Sequence, residues 1–203
     1  QTLRRGLELS RNVMTVRLAN SIGMDKVVDL SRRMGVAENL QPNLSVSLGA
    51  GEVTAFNLTA AYAAFVNGGR RIQPYLIEYV QDRDGETIYR ADQRRCRDCG
   101  RAFTGQASPM LEQRGTQVID PITAYQISSM LEGVVKRGTA ASAASLGDWV
   151  GGKTGTTNEY RSAWFVGFTT DIVVGIYIGF DDNRSLGSGE AGASAAVPVF
   201  VDF

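Results

Sequence analysis

Three groups of residues in this 203-residue chain could carry chemistry: Ser10-Arg11-Asn12 near its start, Cys96 and Cys99 near its middle, and Lys153-Thr154-Gly155-Thr156 in its last third. Histidine is absent altogether. Acyl transfer or hydrolysis here needs a base other than imidazole, which excludes a Ser-His-Asp triad and the usual His-ligated zinc sites and leaves lysine as the main alternative. A serine hydroxyl is a weak nucleophile at neutral pH, and a lysine serves as base only if burial or another cation lowers its pKa. The Lys153 run follows Gly151-Gly152 and reads as strand. Alternation sets Lys153 and Gly155 on one side and the hydroxyls of Thr154 and Thr156 on the other. Gly155 lets another chain approach the backbone closely, so such a strand could bind an extended peptide along its edge.

Taken singly, each group has a plain structural reading. Ser10 suits a helix cap, and Lys-Thr-Gly-Thr is a short polar run of the kind found near strand turns. The cysteines, in Arg-Arg-Cys-Arg-Asp-Cys-Gly, supply half of a four-cysteine zinc site and do not sit at a strand-to-helix junction. A small local disulfide or two free thiols on a surface insertion fits them better, and an oxidised pair would imply an extracytoplasmic compartment.

The elements that must position these groups follow from periodicity and punctuation. Leu7 to Ile22 predicts a helix entered around Ser10 and stopped by Gly23, and Asp25 to Met34 a second, ended by Gly35. Gln41 to Ala50 is loop-like, and Thr54 caps a helix to Val66 that Asn67-Gly68-Gly69 ends. Tyr75 to Val80 and Thr87 to Tyr89 read as a hairpin turning at Asp84-Gly85. Residues 91–115, polar and arginine-rich, read as an inserted surface loop. Asp120-Pro121 opens a helix through Val135, closed by Arg137-Gly138. Trp149 to Thr156, Ala163 to Phe168 and Ile172 to Phe180 predict three antiparallel strands; Thr169, Thr170 and Asp171 interrupt the apolar run from Ala163 to Phe180 and argue against a membrane span. A Gly/Ser/Ala-rich stretch precedes Pro198, and Val199 to Phe203 starts a last helix.

A 43% apolar composition suffices for one globular domain with a core, and no repeat or second domain is visible. Lys plus Arg equals Asp plus Glu at 21 each, so no net field draws the chain to nucleic acid or anionic lipid. No leader-like run precedes the body, and the chain reads as an excerpt.

Ser-x-Asn followed well downstream by Lys-Thr-Gly is two thirds of a pattern shared by penicillin-binding proteins and class A β-lactamases. The likeness extends through Ser10 to Val13 with Val16-Arg17-Leu18, Leu48 to Thr54, Tyr62 to Gly69 with Pro74-Tyr75, Val135 to Ala140, and Gly152 to Asn158 with Ala163 to Gly167. In this order, over nearly the whole chain, they resemble the transpeptidase domain of bifunctional, class A penicillin-binding proteins. The resemblance implies an α/β (α+β) fold, an antiparallel sheet flanked by helices, over residues 1–203, lacking its first part and its last helix. It implies a peptidoglycan D,D-transpeptidase in which a serine is acylated by a D-Ala-D-Ala stem peptide or by a β-lactam, with no cofactor and no metal. Ser10 and Lys153 would share a proton-transfer network, and Asn12 would hold the substrate amide. Thr154 and Thr156 would bind the terminal carboxylate on the strand that Gly155 opens, and the Thr156 N–H would be one oxyanion donor. A parent anchored on the periplasmic face of the inner membrane, with a glycosyltransferase domain, is implied in the same way.

The chain departs from the pattern at the nucleophile. Its only lysines are Lys26, Lys136 and Lys153, preceded at three residues by Gly23, Gly133 and Val150, so there is no Ser-x-x-Lys and the expectation is truncation. Ser162, where the family often has an acidic residue, and Glu190-Ala191-Gly192, where a Thr-Gly pair is common, are smaller departures. The alternatives are a carboxypeptidase or β-lactamase of the same superfamily, which passes the acyl group to water, and a non-catalytic module that binds stem peptide or a partner protein.

Overall fold

The computed structural model describes residues 1–203 except 98, 103, 112 and 113, four positions of the 91–115 stretch. Helix α1 spans Leu3–Glu8, capped by the Thr2 hydroxyl, and α2 spans Asn12–Ile22. The single helix expected from Leu7 to Ile22 is therefore two. The break has a definite geometry: Ser10 N–H donates to Leu7 O (3.1 Å), Arg11 N–H donates to Gly6 O (2.8 Å), and Ser10 lies at φ 52°. These are the bonds and the left-handed residue of a Schellman motif, so Ser10 stands just past the end of α1 instead of capping α2. Glycine normally holds that place, as Gly35 (φ 82°) does at the end of α3, Met24–Met34. The apolar period alone could not reveal a stop made with serine.

A 3-10 turn, Leu44–Leu48, leads to α4, Ala55–Val66, whose first turn the Thr54 hydroxyl caps as expected. Strand β1, Arg70–Arg71, pairs with β6, Thr116–Gln117. Strands β2, Tyr79–Gln81, and β3, Thr87–Arg90, make the expected hairpin, but the strand from Tyr75 contracts to Tyr79 because among the described residues the hairpin pairs only with itself and its strand side chains are exposed. Within 91–115, β4, Cys96–Arg97, pairs with β5, Met110–Leu111, and a Cys96–Cys99 disulfide sits at the ladder.

Helix α5, Pro121–Arg137, is the central support, with Asp120 bonding the Ile122 and Thr123 amides at its N-terminus. Beyond the Ala141–Leu146 3-10 turn come β7, Gly151–Thr156, β8, Ser162–Phe168, and β9, Val173–Gly179, an antiparallel sheet in that order. Trp149, expected in the first of these strands, is left outside it at φ 65°. A π-turn, Gly192–Ala196, runs into α6, Val197–Asp202, which begins two residues earlier than expected with Pro198 in its first turn, where a missing N–H is harmless.

One face of the sheet closes on α5 and α6. Phe165 is 0% exposed and meets Phe200 edge to face at 5.1 Å, among Val134, Val150, Phe168 and Val197. A side chain of this size contributes about 2–3 kcal/mol on burial. Gly151 and Gly152 let β7 lie flat here, since a Cβ on either would strike the Phe168 or Phe165 ring. The strand bearing Lys153 is thus fixed by packing directly upstream of the lysine.

Candidate active site

The turn between α1 and α2 and the outer edge of β7 meet at one bond. Lys153 Nζ donates to Ser10 Oγ at 2.8 Å and to Thr154 O at 2.8 Å, across 143 residues of sequence for the first contact. Burial brings the Lys153 pKa down to about 8 from its ordinary 10.5, because a half-buried ammonium loses hydration that these two acceptors only partly replace. At neutral pH the amine keeps a substantial neutral population. In that form the bond can reverse, with Ser10 O–H donating to the Nζ lone pair, so the pair can hand a proton either way.

Ladder phase fixes what the edge of β7 offers. Thr157 N–H donates to Ser162 O at 3.2 Å in the register that pairs Thr156 with Ala163. Alternation then turns the backbone groups of Gly151, Lys153 and Gly155 toward β8 and those of Gly152, Thr154 and Thr156 outward. The Lys153 bond to Thr154 O agrees with that direction. Among the described residues no strand covers this edge, so the Thr156 N–H and the Thr154 amide are open to an extended ligand.

The two threonine hydroxyls share a face of β7 and are each held. Thr154 Oγ1 lies 2.7 Å from Thr139 Oγ1, and Gly192 N–H donates to Thr156 Oγ1 at 3.0 Å. The second bond uses the hydroxyl as acceptor, leaving its own proton to donate to an anion. Gly192 also presses onto the strand: a Cβ there would meet Gly155 O and Trp164 O. The close approach that Gly155 invites is therefore made by the chain's own π-turn, on the face, while the edge stays open. Asn12 begins α2, is exposed, and lines a cavity of about 500 Å³ with Ser10, Gln1 and Met14. Its amide has no hydrogen bond among the described residues. A larger open cleft of about 650 Å³, between α3 and the start of α4, contains none of these residues.

Ser162, a departure from the family pattern, closes the far end of β7: its N–H donates to Thr157 Oγ1 at 2.8 Å. Two participants were not singled out by type and spacing, Thr139 and Glu8. Glu8 is 1% exposed and paired with Arg137. Its signal in the sequence is a charge set between Leu7 and Leu9.

The chain matches the family described as penicillin binding protein transpeptidase domain over residues 1–203, and it belongs to that family. It is 45% identical over 205 residues to penicillin-binding protein 1A of Rickettsia bellii and 39% identical to penicillin-binding protein 1A of Neisseria gonorrhoeae, in each case across 100% of this chain. It spans only 26% and 24% of the length of those relatives. Among solved structures, penicillin-binding protein 1A from Haemophilus influenzae superposes with a TM-score of 0.84 at 32% identity, covering 99% of this chain and 33% of that one. The D,D-transpeptidase domain of a peptidoglycan glycosyltransferase from Eggerthella lenta superposes at 0.70 with 25% identity, covering 99% and 52%.

Proposed function

We propose that this chain forms one wall of the site of a serine-type peptidoglycan D,D-transpeptidase. The observation that carries the reading is the 2.8 Å bond between a desolvated Lys153 and Ser10 beside an open strand edge. Ser10 and Lys153 relay the proton, and Asn12 holds the substrate amide. Thr154 and Thr156 bind the terminal carboxylate, with Lys153 adding positive charge and the Thr156 N–H facing a developing oxyanion. The serine that attacks the D-Ala-D-Ala carbonyl comes from outside residues 1–203, since the chain has no Ser-x-x-Lys. It releases the terminal D-Ala and passes the acyl group to an amine of a neighbouring stem peptide. β-Lactams acylate the same serine. Stretch 91–115 is a surface insertion, and the longer protein works at the periplasmic face of the inner membrane, with an anchor and a glycosyltransferase domain; among the described residues no helix is long and apolar enough to cross a membrane.

The test is fluorescent-penicillin labelling and cross-linking of stem peptides by the longer protein, with Ser10→Ala and Lys153→Met variants and the 203-residue chain alone. Labelling of the longer protein, loss in both variants and an unlabelled chain are expected. Hydrolysed stem peptide without cross-links would assign the acyl group to water, as in a carboxypeptidase or β-lactamase. A longer protein that stays unlabelled would sink the enzyme reading in favour of a binding module.

A further inference from the structure

Glu8 makes contacts that the proton relay does not use. Its carboxylate is buried and takes two bonds from the Arg137 guanidinium, Nη2 to Oε1 at 2.5 Å and Nε to Oε2 at 3.2 Å, with Arg5 more distant at 3.5 Å. Its main-chain carbonyl accepts from Thr139 N–H at 3.2 Å. The end of α5 is shaped for it: a Cβ on Gly133 would strike Glu8 Oε1, and a Cβ on Gly138 would strike Glu8 O. A bidentate pair in a cradle of two glycines admits little sliding. Arg4 Nη1 donates to Ser129 O at 2.9 Å and ties the other end of α1 to the same helix.

What stands on either side of this lock is the site. Two residues after Glu8 comes Ser10, held at φ 52° by bonds to Leu7 and Gly6 of α1. Two residues after Arg137 comes Thr139, whose hydroxyl is 2.7 Å from that of Thr154. Both walls, the serine turn and the Lys153 strand, are referred to one ion pair, whose carboxylate is buried and whose guanidinium is half exposed. Such a pair is weak evidence for stability, because desolvation of the carboxylate opposes the Coulomb gain, but its bidentate fork adds geometric specificity.

We propose that Glu8, through its ion pair with Arg137 and its carbonyl bond to Thr139, is a positioning residue that sets the distance between Ser10 and the Lys153 strand. The proposal rests on reading Ser10 and Lys153 as the relay. In the longer protein, Glu8→Gln keeps the side-chain shape and removes the charge. The acylation step by a fluorescent penicillin is expected to slow by about 100-fold, the order that an ångström-scale misplacement costs, with reversible penicillin binding changed far less. In the 203-residue chain, with folding of the variant checked by circular dichroism, the Lys153 Cε titration is expected to move upward by about half a unit or more as water reaches the amine. Arg5→Ala, which removes only the distant partner, serves as the unaffected control, and Arg137→Lys, which keeps the charge but not the fork, is expected to fall between Glu8→Gln and the unaltered protein. If Glu8→Gln does not fold, Arg137→Lys decides by the same two readouts. A folded variant with an unmoved titration and acylation within about twofold overturns the proposal. Unchanged acylation in Ser10→Ala and Lys153→Met would instead overturn the relay reading beneath it.

Discussion

The ionisation of Lys153 offers the most direct test of the site, because it needs neither a nucleophile nor a substrate. The chain has three lysines, so a sample carrying carbon-13 at lysine Cε gives three resonances, and Lys153→Met removes the one of interest. Burial sets the Lys153 pKa at about 8 against an ordinary 10.5. At pH 7.5 the neutral amine then rises from about one molecule in a thousand to about one in four, which is the difference between a spectator and a usable base. The same shift makes stability depend on pH with a fixed sign. Between about pH 8 and 10.5 the unfolded chain holds a proton that the folded chain has released, so this contribution to stability increases as pH rises through that window and is flat below it. Its size is bounded above by about 3 kcal/mol and is reduced by solvent at this half-buried site. The Cε titration should show a midpoint near 8, and urea unfolding at pH 7 and pH 10, compared between the unaltered chain and Lys153→Met, should show the extra stability at high pH only in the former. A midpoint at 10.5 would refute the argument from burial.

Other substitutions separate backbone from side-chain effects. Ser10→Gly and Ser10→Ala both delete the hydroxyl, but only glycine is relaxed at φ 52°; the glycine variant should be more stable by about 1 kcal/mol in urea melts, and both should lose acylation in the longer protein. Gly152→Ala drives a methyl into the Phe165 ring and should cost about 1–3 kcal/mol, read as a fall in the urea midpoint at constant m-value. Reducing the Cys96–Cys99 disulfide, which closes a loop of four residues beside a two-stranded ladder, should speed amide exchange around Leu111 while leaving exchange of the Val134 and Phe165 amides unchanged; loss of protection at Val134 or Phe165 would tie the ladder to the core.

The features legible in the sequence were those that local chemistry dictates. Thr54 and Asp120 cap their helices as their types require, and the three late strands pair in the order their short connections impose. Lys153 falls on one face of its strand and Thr154 and Thr156 on the other because alternation is a property of any strand, whereas the edge position of that strand is a matter of sheet topology. What stayed hidden depends on long-range partners. The α1 to α2 break carries no glycine, so the apolar spacing ran through it, and the helix end just before Ser10 is held from afar, by Arg137 and Thr139 donating to Glu8. Glu8 itself reads as a surface charge until its partner 129 residues away is known.

The strain at Ser10 and the desolvation of Lys153 belong to one arrangement. A serine in the left-handed region is disfavoured by about 1–2 kcal/mol, and an ammonium out of water is disfavoured as well, so neither would persist if the turn and the strand were free to relax apart. They are not free, because Gly151 and Gly152 seat β7 on the core and Glu8 seats α1 on α5. If that account is right, the lysine's environment must respond to the anchored helix end and not to the strain at Ser10 itself. Ser10→Gly, which removes strain without touching the lock, should leave the Lys153 amine buried and its titration within about half a unit of the unaltered chain, whereas Glu8→Gln should raise it. A Lys153 midpoint that moves equally in both variants would mean that the Ser10 hydroxyl, and not the anchored helix end, sets the lysine's environment.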